Sequence, residues 1–115
     1  MRALEKSGAT PRLTGDHKEI LAADRVILPG VGAFGRASDR LRALGLDQTI
    51  LEYVKTERPF MGICVGMQLL MTHGTEFGTH AGLGLLEGTV DKISLQDAQG
   101  QDLRIPLIGW FPVSA

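Results

Sequence analysis

Residues 59–70 run Pro-Phe-Met-Gly-Ile-Cys-Val-Gly-Met-Gln-Leu-Leu and contain Cys64, the single cysteine of the 115-residue chain. The first half is apolar and follows a proline, which predicts a buried strand over Phe60–Ile63. The second half is rich in Met, Gln and Leu, which predicts a helix over residues 65–73. Cys64 therefore lies at a predicted strand-to-helix junction. Its spacing, Gly-x-Cys-x-Gly, is that of a nucleophile elbow with cysteine in place of serine.

This spacing suits a reactive thiol. Gly62 and Gly66 have no Cβ, so the chain can turn sharply and push the side chain between them outward. The unpaired N–H groups and partial positive charge of a helix N-terminus favour the thiolate. The amide of Val65 is predicted to point towards a developing oxyanion. The alternative is a buried cysteine that packs as a small hydrophobe, and the two flanking glycines argue against it.

Composition restricts the classes of function. The chain has 12 Lys and Arg against 13 Asp and Glu, a net charge of −1, and no basic stripe, so nucleic-acid binding has no support. No apolar run approaches the roughly 20 residues that span a bilayer, and no signal-peptide core follows the N-terminus. One cysteine cannot form an internal disulfide. These features predict a small cytoplasmic domain, and we expect no metal or other cofactor.

The rest of the chain predicts alternating helices and strands. Helices are expected over residues 1–7, 17–22, 36–44 and 48–57, and strands over 11–14, 25–28, 89–95 and 103–108. Residues 74–88 are predicted to form a loop and 97–102 a polar turn. The pattern favours an α/β fold, a parallel sheet with helices on both faces and a C-terminal β-hairpin.

Several finer features accompany these helices. Asp16 and Glu19 are spaced as a capping box for the second helix, and Asp47 is expected to cap the fourth. The residues expected to face the core are Ala37, Leu41, Leu44, Ile50, Leu51 and Val54.

A second glycine-rich segment follows the predicted strand at 25–28. Residues 28–35 run Leu-Pro-Gly-Val-Gly-Ala-Phe-Gly. Gly30, Val31 and Gly32 are predicted to turn a backbone N–H towards the crevice at the carboxyl ends of the strands, next to Cys64. An ordinary glycine-rich βα turn is the alternative. The spacing also fits Gly-x-Gly-x-x-Gly, but no acidic residue is placed to receive a ribose, so a dinucleotide site is not predicted.

Residues 59–70 resemble the nucleophile motif of class I, triad-type glutamine amidotransferases. Together with residues 28–35, 82–88 and 108–110, they resemble more specifically the glutaminase-subunit family of imidazole glycerol phosphate synthase. The resemblance covers nearly the whole chain. It implies a flavodoxin-like core that hydrolyses glutamine to glutamate, with ammonia passed to a cyclase partner in histidine biosynthesis.

The resemblance also implies roles for particular residues. Cys64 would attack the side-chain amide of glutamine and form a thioester. The amide of Val65 and a donor from Gly30–Gly32 would hold the oxyanion. Gln68 matches a position that contacts glutamine, and the alternative is a solvated helix residue.

The chain departs from the family pattern in its histidines. The family base is a histidine in a His-x-Glu arrangement after the cysteine, and none follows Cys64 here. His73 is expected at the end of the elbow helix, the predicted helix over residues 65–73. Neither His73 nor His80 begins a His-x-Glu sequence. His17 begins His-Lys-Glu but precedes the nucleophile, and we expect it on the solvated surface.

Other positions also depart from the pattern. Leu107 and Phe111 stand where the family usually has histidine and asparagine, which leaves the roles of both positions open. The first residues are expected to lie inside the family's first helix. Residues 1–115 are therefore expected to be a partial amidotransferase domain that lacks the first strand and the C-terminal part.

Two consequences are expected. Triad members act as a unit, so the chain alone should have negligible glutaminase activity. Uncovered sheet edges and apolar surface should cause self-association. Two other functions remain open, namely a non-catalytic folding or interaction fragment, and another elbow-cysteine α/β enzyme or a redox sensor.

Overall fold

Two apolar runs pair as parallel strands. The structure, a computed structural model, describes residues 1–96, 99–102, 106, 109, 110 and 112. In it β1 (Val26–Gly30) lies beside β2 (Phe60–Cys64), in a register that pairs Val26 with Phe60 and Gly30 with Cys64. The predicted parallel pairing is confirmed. β1 also continues through Pro29 and Gly30, two residues past its predicted end.

Two helices connect these strands. α3 (Phe34–Ala43) begins two residues before the predicted start, and α4 (Leu46–Val54) ends three residues before the predicted end. Gly45, with φ +66°, separates them and takes the N-cap position that was assigned to Asp47. The chain turns there because glycine tolerates this left-handed conformation.

The buried faces of these helices agree with the prediction at most positions. Ala37 and Leu41 pack against the core, and Ile50 is buried. Leu51 and Val54 are half-buried. Leu44 is 47% exposed, so its inward assignment was wrong, because it caps α3 where the chain already turns away. Tyr53, which was not predicted in the core, is fully buried.

The N-terminal region holds two short helices, α1 (Arg2–Lys6) and α2 (His17–Ala22). The Asp16 carboxylate accepts from the Glu19 backbone N–H at 2.9 Å, which confirms the cap of α2. In a capping box the Glu19 side chain would accept in return from the Asp16 N–H. Here that N–H donates instead to Thr14 Oγ1, at 3.0 Å. Residues 11–14 form no strand, since Thr14 is already committed to this turn.

A second sheet follows the elbow. It consists of β3 (Met71–Gly74), β4 (His80–Ala81) and β5 (Leu86–Val90), in the order β4-β3-β5. The predicted helix over 65–73 is therefore wrong beyond its first turn, α5 (Val65–Gln68). Parallel pairing of β3 with β5 overrides the helical propensity of this segment. β4, which pairs with β3 in the antiparallel direction, and most of β5 lie inside the predicted loop 74–88.

The core joins both sheets to the elbow. Phe34, Val65 and Leu69 form a buried cluster, with Leu28 and Val90 packed against it. Gln96 and Asp102 form an antiparallel bridge across the predicted polar turn. Of the predicted strand 103–108, all but residue 106 lies outside the described residues, as do positions 107 and 111. The described part of the chain is a mixed α/β fold with a parallel sheet and helices, and none of its helices is long and apolar enough to cross a membrane.

Candidate active site

The backbone turns sharply at Cys64. This residue is both the last residue of β2 and the N-cap of α5, with φ +57° and ψ −122°. A non-glycine residue in such a conformation destabilises the folded state by about 1–3 kcal/mol, so the surrounding packing must hold the backbone in place. The thiol-bearing residue is exposed. The predicted strand-to-helix junction is therefore confirmed, and the alternative of a buried structural cysteine is wrong.

Three glycines let the elbow helix sit against both strands. A Cβ added at Gly62 would lie 2.5 Å from Met67 Cα and 2.7 Å from the Gly66 carbonyl oxygen. One added at Gly66 would collide with the Leu28 carbonyl, and one at Gly30 would lie 2.7 Å from the Gly66 amide nitrogen. Each contact is with main chain, which cannot rotate away. These glycines are therefore required for close approach, and none of the three has a positive φ.

The strand register brings the two predicted parts of the site together. Gly30 is the register partner of Cys64, so the glycine-rich loop leaves β1 beside the nucleophile. Gly32 has φ +89° and nothing within 4 Å of an added Cβ, and Val31 is 91% exposed. The loop over Gly30–Gly32 thus lies open at the carboxyl edge of the parallel sheet, where α/β folds bind ligands.

The two other predicted site residues lie at opposite ends of α5. Val65 follows Cys64 directly, and its side chain is buried in the core. Gln68 ends the helix and is half-buried. Because α5 has only four residues, it supplies a smaller dipole than the predicted nine-residue helix would.

A cavity of about 620 Å³ opens beside the glycine-rich loop, on the α3 side. Val31 and Gly32 contribute to its lining, as do Glu76 and Phe77 from the turn after β3 and His80 from the start of β4. Phe77 is 88% exposed, with φ +54°. Sequence reasoning missed these three residues because it treated residues 74–88 as a plain loop. The adjacent Phe77-Gly78 turn marks a tight connection, but no local signal identifies Phe34, 42 residues before Glu76, as the hydrogen-bond partner of Glu76.

The three histidines contact other parts of the molecule. His17 is exposed, as expected, and its Nδ1 lies 2.6 Å from Thr49 Oγ1. His73 lies in β3, with Nε2 3.1 Å from Thr89 Oγ1, so its assignment to the end of the elbow helix was wrong. The His80 ring packs against Gly35. Among the described residues, no group of three or more His, Cys, Asp and Glu could hold a metal ion.

Comparisons with known proteins support the resemblance. The chain is 44% identical over 110 residues to the imidazole glycerol phosphate synthase subunit HisH of Wolinella succinogenes, a match of 96% of this chain and 53% of that protein. It is 42% identical over 112 residues to the subunit of the same name from Rhodopirellula baltica, a match of 97% and 53% respectively. The chain thus spans about half the length of the curated relatives it matches.

A family model gives the broader assignment. The model of the CobB/CobQ-like glutamine amidotransferase domain matches residues 1–107, which include the elbow and the glycine-rich loop. The chain therefore belongs to the glutamine amidotransferase family.

Proposed function

We propose that the chain carries the nucleophile of a glutaminase, which hydrolyses glutamine to glutamate and supplies ammonia to the cyclase subunit of imidazole glycerol phosphate synthase in histidine biosynthesis. The observation that carries this proposal is the register pairing of Gly30 with Cys64, which sets a glycine-rich loop beside an exposed thiol. The relatives are named as subunits of imidazole glycerol phosphate synthase, and the family resemblance of the sequence implies the pathway and the cyclase partner. The proposed setting is the cytoplasm, and the proposed chemistry uses no cofactor.

The reaction follows from these groups. The Cys64 sulfur attacks the side-chain amide carbon, and the carbonyl electron pair moves onto oxygen. The Val65 amide and a donor from Gly30–Gly32 hold that oxyanion. A base takes the thiol proton and gives it to the amide nitrogen; the C–N bond then breaks, and ammonia leaves. Water then attacks the thioester, which releases glutamate and regenerates the thiol.

Two further roles complete the proposal. Gln68, one turn after Cys64, contacts the bound glutamine. The proton transfers need a base, and in the family this base is a histidine in a His-x-Glu arrangement that does not follow Cys64 in this sequence. Because members of such a triad act as a unit, the 115-residue chain alone should have negligible glutaminase activity.

Alkylation of Cys64 tests the proposed site. The chain is treated with a glutamine-like diazoketone and with iodoacetamide, and the modified residue is mapped by mass spectrometry, with Cys64→Ser as control. We expect the diazoketone to label Cys64 and added glutamine to protect Cys64 from this labelling. We expect the release of glutamate from glutamine to stay at background. Absence of protection by glutamine would favour the folding or interaction fragment. Sulfenic acid formation without any glutamine effect would favour the redox sensor, and glutamate release that depends on Cys64 would contradict the expected inactivity.

The chain is also proposed to self-associate. Met61, Ile63 and Met67, on β2 and the elbow helix, are each between 45% and 57% exposed. Apolar side chains grouped in this way favour association in water. We expect light scattering to give a mass above 12.4 kDa at micromolar concentration. A compact monomer under these conditions would contradict this part of the proposal.

A further inference from the structure

The turn between β3 and β4, with the strand residues that flank it, lies across the start of α3. We call residues 74–82 the strap. At one end the Phe34 ring packs against Gly74, where an added Cβ would lie 2.8 Å from the ring. At the other end the Ser38 hydroxyl donates to the Ala81 carbonyl at 2.6 Å. The strap is therefore attached to α3 by contacts on both sides of its turn.

Two contacts in the middle of the strap involve the first turn of α3. The Phe34 backbone N–H donates to Glu76 Oε2 at 3.4 Å. The His80 ring lies against Gly35, with three ring atoms 2.7–2.8 Å from where an added Cβ would be. Ala33, the N-cap residue of α3, has no side-chain acceptor. Glu76 thus satisfies, from the strap, one of the backbone N–H groups that a helix leaves unpaired in its first turn.

The start of α3 is also the end of the glycine-rich loop. The loop begins at Gly30, which is held by its pairing with Cys64, and runs through Gly32 into Phe34. Neither Val31 nor Gly32 is held by packing, since the first is 91% exposed and the second has open space around it. The orientation of the loop amides therefore depends on how firmly its two ends are held.

We propose that Glu76 is a positioning residue, which acts through the Phe34 N–H to hold the second end of the Gly30–Ala33 loop. Its effect on the proposed reaction is indirect, because the loop, and not Glu76, supplies the oxyanion donor. The link to catalysis rests on the proposed function. The effect of Glu76 on the order of the loop does not rest on the proposed function, so an experiment can disprove either link without the other.

Amide hydrogen exchange of the 115-residue chain, measured by NMR without glutamine, tests the positioning role. Glu76→Ala is expected to raise the exchange rate of the Phe34 amide about fivefold, as expected for loss of a helix cap, with a smaller rise at Gly32 and Ala33. Glu76→Gln keeps an acceptor oxygen and is expected to stay within about twofold of the parent, since the amide can still cap the helix. Glu52→Ala, on the exposed side of α4, is the matched control and should leave these amides unchanged.

A second variant moves the strap without changing Glu76. In Gly35→Ala the new Cβ would meet the His80 ring, so the strap must shift, while alanine has a higher helix propensity than glycine and favours α3. We expect faster exchange at the Phe34 amide here too. Unchanged exchange in Glu76→Ala and Gly35→Ala would overturn the proposal. The proposal would also be overturned if Glu76→Ala slowed the labelling of Cys64 by the diazoketone but left amide exchange unchanged. Glu76 would then act on the ligand itself.

Discussion

The two sides of the proposed site are held in different ways. On the nucleophile side, Gly62 and Gly66 place α5 in direct contact with main chain of β1 and β2, and Val65, the residue after Cys64, is buried in the core. On the loop side, Val31 is exposed and Gly32 has open space around it. One side is therefore fixed by close packing along its length, and the other is fixed only at its ends.

This difference has a physical consequence. Closely packed main chain cannot shift without a large energetic cost. The packing around the elbow therefore maintains the unfavourable dihedral angles of Cys64. A loop in open space can change its amide orientation at small cost. Substitutions on the nucleophile side should therefore act mainly through stability, and those on the loop side mainly through the reactivity of Cys64.

The largest effect is expected from Gly66→Ala. The added Cβ would collide with the Leu28 carbonyl, which cannot move without breaking the contact between β1 and α5. Alanine gains up to about 1 kcal/mol over glycine in a helix, but this gain is smaller than the cost of the clash. We expect a loss of about 3 kcal/mol in the free energy of unfolding, measured by urea denaturation.

Gly15→Ala is the matched control for this substitution. Nothing lies within 4 Å of a Cβ at Gly15, and its φ is not positive, so the free energy of unfolding should stay the same or rise slightly. Equal losses in the two variants would show that chain flexibility, and not the contact with β1, explains the glycine at position 66.

The same difference explains what the sequence could predict. The elbow depends on neighbouring residues, so Gly62, Cys64 and Gly66 were identifiable by spacing alone. The strap depends on partners far along the chain, such as Phe34 and Glu76, which are 42 residues apart and carry no local signal. The helix predicted over 65–73 was wrong beyond its first turn for the same reason, since β3 exists only because β5 lies beside it. That Gly30 and Cys64 lie at the same edge of the sheet was predictable, because each comes at the carboxyl end of a clear strand; the register that pairs them was not predicted.

A medium effect is expected from Gly32→Ala. The residue has φ +89°, where alanine is strained by about 1 kcal/mol, and open space means that no clash adds to this cost. Gly8→Ala is an unusually close control, because Gly8 has φ +84° and equally open surroundings far from the site along the chain. We expect both variants to lose about 1 kcal/mol in unfolding free energy.

Labelling of Cys64 by the diazoketone should separate these two variants. Gly32→Ala changes the backbone of the proposed oxyanion loop, so labelling should slow about tenfold, as expected when one oxyanion donor is weakened. Gly8→Ala should leave the labelling rate unchanged. If Cys64 is labelled at the parent rate in both variants, the loop does not contribute to the reactivity of Cys64. That reactivity then depends on the nucleophile side alone.

The smallest effect is expected from Val31→Ser. The side chain is 91% exposed, so its replacement should change the unfolding free energy by less than about 0.5 kcal/mol. Labelling of Cys64 should also stay within about twofold of the parent, because the substitution preserves the backbone N–H groups on which the loop's proposed role depends. A tenfold slower reaction in a variant of unchanged stability would instead assign the role to the valine side chain. The loop would then act through a contact with the ligand, and its backbone orientation would matter less than the comparison of the two sides implies.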